Sequence, residues 1–111
     1  MVLEAKIADT RLIGDFEVVY VDDTATTLLP NQQICIVDSG DGTVTITLPN
    51  VGDAKGKTYF IQATTGNTNA VTVTDGGDDA LWSDITDLDA ANDYLGVLSL
   101  GYRWVIVADS R

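Results

Sequence analysis

Thr43-Val44-Thr45-Ile46-Thr47-Leu48 alternates polar and apolar residues without a break. A period of two puts Val44, Ile46 and Leu48 on one face of an extended chain and the threonines on the other. Ala70-Val71-Thr72-Val73-Thr74 repeats the pattern. Threonine suits such positions because its β-branch favours extended backbone while its hydroxyl tolerates water. Working outward, further strands are expected at 17–21, 32–38, 57–63, 94–100 and 102–108, with a weaker candidate around 80–83. Asp38-Ser39-Gly40-Asp41-Gly42 reads as a hairpin loop, and 64–69 joins the next pair. Pro49-Asn50 ends a strand, since proline cannot donate to a ladder. Leu100-Gly101-Tyr102 separates the last two strands. The expectation is an all-β domain, a small sandwich or barrel of about seven to eight antiparallel strands. The stretch 84–92 has helical spacing through Ile85, Leu88 and Ala91, but its aspartates are poor helix formers, so a loop or one short turn is expected.

The segments around Cys35–Gly40 and Val44–Thr47 parallel those around Phe60–Gly66 and Val71–Thr74. This reads as a duplicated hairpin, and two copies do not make a solenoid.

Composition narrows the function. The 111 residues carry 17 Asp+Glu against 6 Lys+Arg, a formal net charge of −11, with no His and one Cys. The length suits one domain that buries about 65% of its unfolded surface, enough for a core without disulfides. Absence of His removes Ser-His-Asp and Cys-His nucleophile systems and His-based zinc sites. Acidity argues against nucleic acid and anionic membranes, which need Lys and Arg to neutralise phosphate. A mean hydropathy of +0.11 argues against disorder. No apolar run approaches a transmembrane length, and the first residues do not read as a secretory signal, so assembly in a cytoplasm is expected.

Residues 1–16 stand apart from the domain at 17–111. Leu3, Ala5 and Ile7 alternate with Glu4, Lys6 and Ala8, and Leu12-Ile13-Gly14 follows. Two placements fit: packing on its own domain, or an arm that adds to a neighbour's sheet edge through backbone hydrogen bonds. The arm reading makes Val2, Leu3, Ile7, Arg11, Leu12 and Ile13 the docking candidates.

Candidate chemistry is sparse. Seven acidic residues and no Lys or Arg lie within 75–93. Asp75, Asp78 and Asp79 are weak candidates for Ca²⁺, a hard cation that prefers oxygen, but the spacing is not that of an EF-hand and a solvated loop explains it. No metal or other cofactor is expected. Paired carboxylates for glycoside hydrolysis need about 5–9 Å separation, which 17 acidic residues meet by chance. Cys35, in an apolar strand, reads as a small buried hydrophobe with no basic neighbour to activate it. Gly56-Lys57-Thr58 lacks the first glycine of a P-loop, and a strand is expected to follow it instead of a helix. Trp104 reads as a core or subunit-interface residue. Trp82, Tyr94 and Tyr102 form a possible contact surface, with Trp82 in the acidic loop as the best candidate for stacking on sugar.

The order of these pieces carries a resemblance. Leu48-Pro49-Asn50, Gly56-Lys57-Thr58-Tyr59-Phe60-Ile61, Gly66-Asn67 and Val71-Thr72-Val73 make one half. Asp78-Asp79-Ala80-Leu81-Trp82, Tyr94-Leu95-Gly96-Val97-Leu98-Ser99 and Gly101-Tyr102-Arg103-Trp104-Val105-Ile106 make the other. Over residues 25–108 this resembles small β modules of tailed-phage surface proteins: capsid decoration (cement) proteins, head fibres and tail-fibre domains. Leu81-Trp82-Ser83 replaces an Ile-x-Gly common in their second half. The resemblance implies a homotrimer that does no chemistry. The expected role is a decoration protein on the outer head shell of a virion, bridging capsomers, with the major capsid protein as partner. Nucleic acid and membrane are not expected partners. A chain that starts at Met and has no long shaft fits a complete small protein, which favours decoration over a fibre. The alternative is a tail-fibre or receptor-binding module recognising host glycan.

Overall fold

The computed structural model describes residues 17–64, 66, 69–75 and 86–110. These contain nine strands and no helix: β1 (Val18–Val21), β2 (Ala25–Thr27), β3 (Ile34–Val37), β4 (Val44–Thr47), β5 (Thr58–Ala63), β6 (Val71–Thr74), β7 (Thr86–Leu88), β8 (Tyr94–Ser99) and β9 (Trp104–Asp109). The all-β expectation holds, and each of the seven main strand candidates is a strand. The candidate at 80–83 lies outside the described residues, as does the segment 1–16. Two short strands, β2 and β7, were not expected, and β7 occupies part of the stretch read as a loop.

Pairing differs from expectation. The five-stranded sheet runs β1-β3-β5-β8-β9 and the four-stranded sheet β2-β4-β6-β7. β1, β3 and β5 are parallel, as are β2, β4 and β6. Only the pairings of β5 with β8, β6 with β7 and β8 with β9 are antiparallel. Neither sheet closes into a barrel. The loops read as hairpins at 38–42 and 64–69 instead carry the chain from one sheet to the other. The physical reason lies in what alternation encodes. It says which residues face inward, not which strand is the neighbour. Crossing between sheets lets Cys35 and Val37 join the same core as Val44 and Ile46 without pairing β3 to β4.

The result is a stack of three rungs, each giving one strand to each sheet. The internal similarity of the sequence is this stacking: Cys35 pairs with Ile61, and Val44 with Val71. The chain then reverses, so β7 and β8 form a fourth layer running the other way, and β9 folds back on β8. A register shift lies between Gly96 and Val97. Gly96 leaves little room there: a Cβ would sit 3.1 Å from the Ala108 Cβ, so Ala108 would have to shift by a few tenths of an ångström. At the turn between β8 and β9, Gly101 has φ +93°, and a Cβ would meet the Lys55 side chain at 3.0 Å.

One apolar cluster takes residues from both sheets. Tyr59, Ile61, Val71, Val73, Leu95, Val97 and Trp104 are inaccessible to solvent. Tyr59 meets Trp104 edge-on, with ring centroids 5.6 Å apart. Its hydroxyl donates to the Pro30 carbonyl at 2.6 Å, satisfying the one polar atom that the ring buries.

Polar clamps tie successive crossovers together. Buried Ser39 donates its Oγ to the Asn69 carbonyl at 2.6 Å, and the Asn69 Nδ2 donates back to the Ser39 carbonyl at 2.7 Å. Ser99 Oγ donates to the Val51 carbonyl at 2.6 Å and accepts from the Gly101 amide at 3.1 Å. Replacing Ser39 with alanine leaves the Asn69 carbonyl short of that donor. A loss of about 1–3 kcal/mol in urea-denaturation stability is expected, and an unchanged midpoint would contradict the clamp.

Candidate functional site

The predicted site residues separate into three groups. Val2, Leu3, Ile7, Arg11, Leu12 and Ile13 of the arm, together with Trp82, Asp78 and Asp79, lie outside the described residues. Asp75 is half-buried immediately after β6. Among the described residues no group of three or more Cys, Asp or Glu is placed to hold a metal ion. Among the described residues, Asp22, Asp23 and Asp41 line a shallow pocket with Thr24, Gly42, Thr43 and Val44. It sits where the β1–β2 and β3–β4 crossovers stack. Each of those aspartates is exposed, so the pocket reads as a solvated rim.

Tyr94 and Tyr102 are not brought together. Tyr94 opens β8, whereas Tyr102 lies in the turn beyond its far end. The strand between them spans about 17 Å, so they cannot form one stacking platform. Tyr102 is 69% exposed. Tyr94 is half-buried and packs on Phe60, with centroids 5.5 Å apart and planes tilted by 30°.

Cys35 is fully buried, and desolvation pushes its thiol up to about 12. A thiol held neutral in apolar surroundings is a poor nucleophile, so Cys35 acts as a core residue, as its sequence context predicts. Thr58 begins β5 directly after Gly56-Lys57, which removes the helix that a P-loop needs.

The largest feature outside the predicted residues is the contrast between the two outer faces. On the four-stranded sheet, Thr45, Thr47, Thr72 and Thr74 alternate with the buried valines and isoleucine, so the outer face is a threonine array. On the five-stranded sheet, Val18, Ile34 and Phe60 lie in one row across β1, β3 and β5. Tyr20, Ile36, Gln62 and Tyr94 form the row on one side of it, and Thr58, Leu98 and Val105 form the row on the other. Val18 is 56% and Tyr20 65% exposed. None of these positions carries a charge. A signal for this face exists in the sequence. Ile34-Cys35-Ile36-Val37 is apolar at every position, the mark of a strand covered on both sides, whereas the threonine strands alternate.

A scan of family models and a search of curated proteins find no match to the chain.

Proposed function

We propose that the protein is a structural component of a tailed-phage virion, a capsid decoration protein that binds the outer head shell as a homotrimer and stabilises it. The major capsid protein is the partner. The two sheets act as a small sandwich, and residues 1–16 act as the arm that docks on the shell through Val2, Leu3, Ile7, Arg11, Leu12 and Ile13. The observation that supports this reading most is where the residues of the phage-module pattern fall. Leu48 and Pro49 are buried at the end of β4, Tyr59 and Ile61 are buried in β5, and Val71 and Val73 in β6. Trp104 closes the same core from β9. The pattern therefore builds a scaffold, which suits a protein whose work is to add contacts to a larger assembly.

The test is co-sedimentation with undecorated heads of the phage that encodes the chain. The full chain is expected to pellet with the heads and to raise their resistance to heat. Deletion of residues 1–12 is expected to abolish pelleting while leaving the far-ultraviolet circular dichroism unchanged. Normal decoration by the truncated chain would overturn the arm. Failure of the full chain to bind any head would overturn the assignment.

A further inference from the structure

Two aspartates in the chain are followed directly by glycine, Asp41 and Asp75. An Asp-Gly bond can rearrange without a catalyst, because glycine has no side chain to shield its amide nitrogen from the preceding carboxyl. A fold blocks the reaction where it fixes the carboxyl or holds the turn rigid. The surroundings of each candidate therefore decide the outcome.

The neighbouring Asp and Asn residues are held. Asp38 Oδ1 accepts from the Gly40 amide at 2.9 Å, and Asn50 Oδ1 accepts from the Gly52 amide at 2.9 Å. Asn69 is locked to the Ser39 carbonyl, and Asp93 accepts from the Ala90 amide and the Ser110 hydroxyl. Each of these is also followed by a residue with a side chain. Asp22, Asp23, Asp53 and Asp89 are exposed, but they precede Asp, Thr, Ala and Ala. Asp75 is half-buried, and its glycine lies outside the described residues.

Asp41 differs from all of them. It is exposed, at the tip of the crossover from β3 to β4. Among the described residues none donates a hydrogen bond to its carboxylate. The Gly42 amide donates to the Ser39 carbonyl at 3.3 Å, beyond the usual range for such a bond. A Cβ built at Gly42 would meet nothing within 4 Å, so the chain has room to turn there. Both ends of the crossover are fixed, by the Ser39–Asn69 clamp and by the Val44 amide on the Ala70 carbonyl at 3.1 Å. The turn at Asp41-Gly42 can therefore deform without moving a strand.

We infer that Asp41 is a self-modification site, where the chain converts its own aspartate to isoaspartate. The Gly42 amide nitrogen attacks Cγ of the protonated Asp41 carboxyl. A bond forms between that nitrogen and Cγ, and the carboxyl hydroxyl leaves with the amide proton as water. The product is a five-membered succinimide. Water then adds at the Asp41 main-chain carbonyl, the bond from that carbonyl to nitrogen breaks, and the chain runs on through Cγ. One water leaves and one enters, so mass and charge are unchanged and no other reactant is needed. The crossover gains one methylene, and the former main-chain carbonyl becomes a carboxylate. None of this rests on the proposed function.

Peptide mapping of the full chain after long storage in warm neutral buffer tests this. Trypsin cuts after Lys55 and Lys57, so the two Asp-Gly bonds fall in different peptides. The peptide that holds Asp41 is expected to accept methyl groups from S-adenosylmethionine through a protein isoaspartyl methyltransferase. Electron-transfer fragmentation should place the isoaspartate at position 41. Asp41→Glu should abolish the signal from that peptide, because glutamate would have to close a six-membered ring. Gly42→Ala, which the open turn admits, should slow the reaction several-fold with wild-type circular dichroism. No isoaspartate at position 41 in the aged, folded chain overturns the inference, whatever forms at position 75. A Gly42→Ala variant of unchanged rate also overturns it, and so does a signal from the same peptide that survives Asp41→Glu.

Discussion

Replacement of Trp104 by alanine is expected to lower the folding stability by about 3–5 kcal/mol. The indole is fully buried, pairs across from Ser99, and meets the Tyr59 ring edge-on. It joins the last strand to the core of the third rung, so its loss leaves a cavity that the flanking strands cannot close. One detail tempers the native contribution: the Trp104 Nε1 has no hydrogen-bond partner. An orphaned buried donor costs about 1–3 kcal/mol. Trp104→Phe removes that donor together with part of the ring, so it should cost markedly less than Trp104→Ala. Urea denaturation at one fixed protein concentration measures both. An alanine variant within about 1 kcal/mol of wild type would contradict this account of the core.

Stability is also expected to fall steeply between pH 9 and 12, through Cys35 and Tyr59. Burial pushes the thiol from 9.0 to about 12 and the phenol from 10.0 to about 12. Both groups are acids whose neutral forms the folded protein keeps. Below pH 9 the folded and unfolded chains hold the same protons at these sites, and the stability is intact. As the pH rises, the unfolded chain releases the protons first, which favours unfolding. Each group contributes a slope of about 1.4 kcal/mol per pH unit over its window. The Cys35 share alone reaches up to about 4 kcal/mol by pH 12. Cys35→Ala is less stable at neutral pH because it leaves a small cavity, yet its stability should decline less steeply above pH 9. Equal slopes for the two proteins would show that the thiol does not carry the effect.

The strands were legible because alternation survives in four to six residues. β2 and β7 were not, because three residues, Ala25–Thr27 and Thr86–Leu88, are too few to show a period. Direction of pairing was not legible either. Val44 and Val71 read as inward-facing whichever strand lies beside them. Two copies of the repeat were visible but read as hairpins, and the first rung was hidden by unequal spacing: Val18 pairs with Ile34 sixteen residues on, but Ile34 pairs with Phe60 twenty-six residues on. The extra length lies largely in the turn at 49–57, which no fixed period would anticipate. Ser39 and Asn69 were explained as turn formers, while their bonds to each other join two crossovers thirty residues apart in sequence. At the candidate site, Cys35 and Trp104 were readable from their apolar flanks. Tyr94 and Tyr102 were grouped by type, although the strand expected at 94–100 already put them at its opposite ends, as the fold does.

The reversal after β6 gives the stack a direction. In the first three rungs the chain enters each sheet with the same polarity, so duplication of a rung's sequence would add a layer that pairs like its neighbours. The reversed layer lacks that property, because β8 opposes β5 and β9 turns back along it. A copied rung inserted there would meet a partner of the wrong polarity. By strand polarity alone, a copied rung fits beside β1 and β2 and does not fit beside β7 and β9, as a crystal with one rough face and one finished face grows from the rough one.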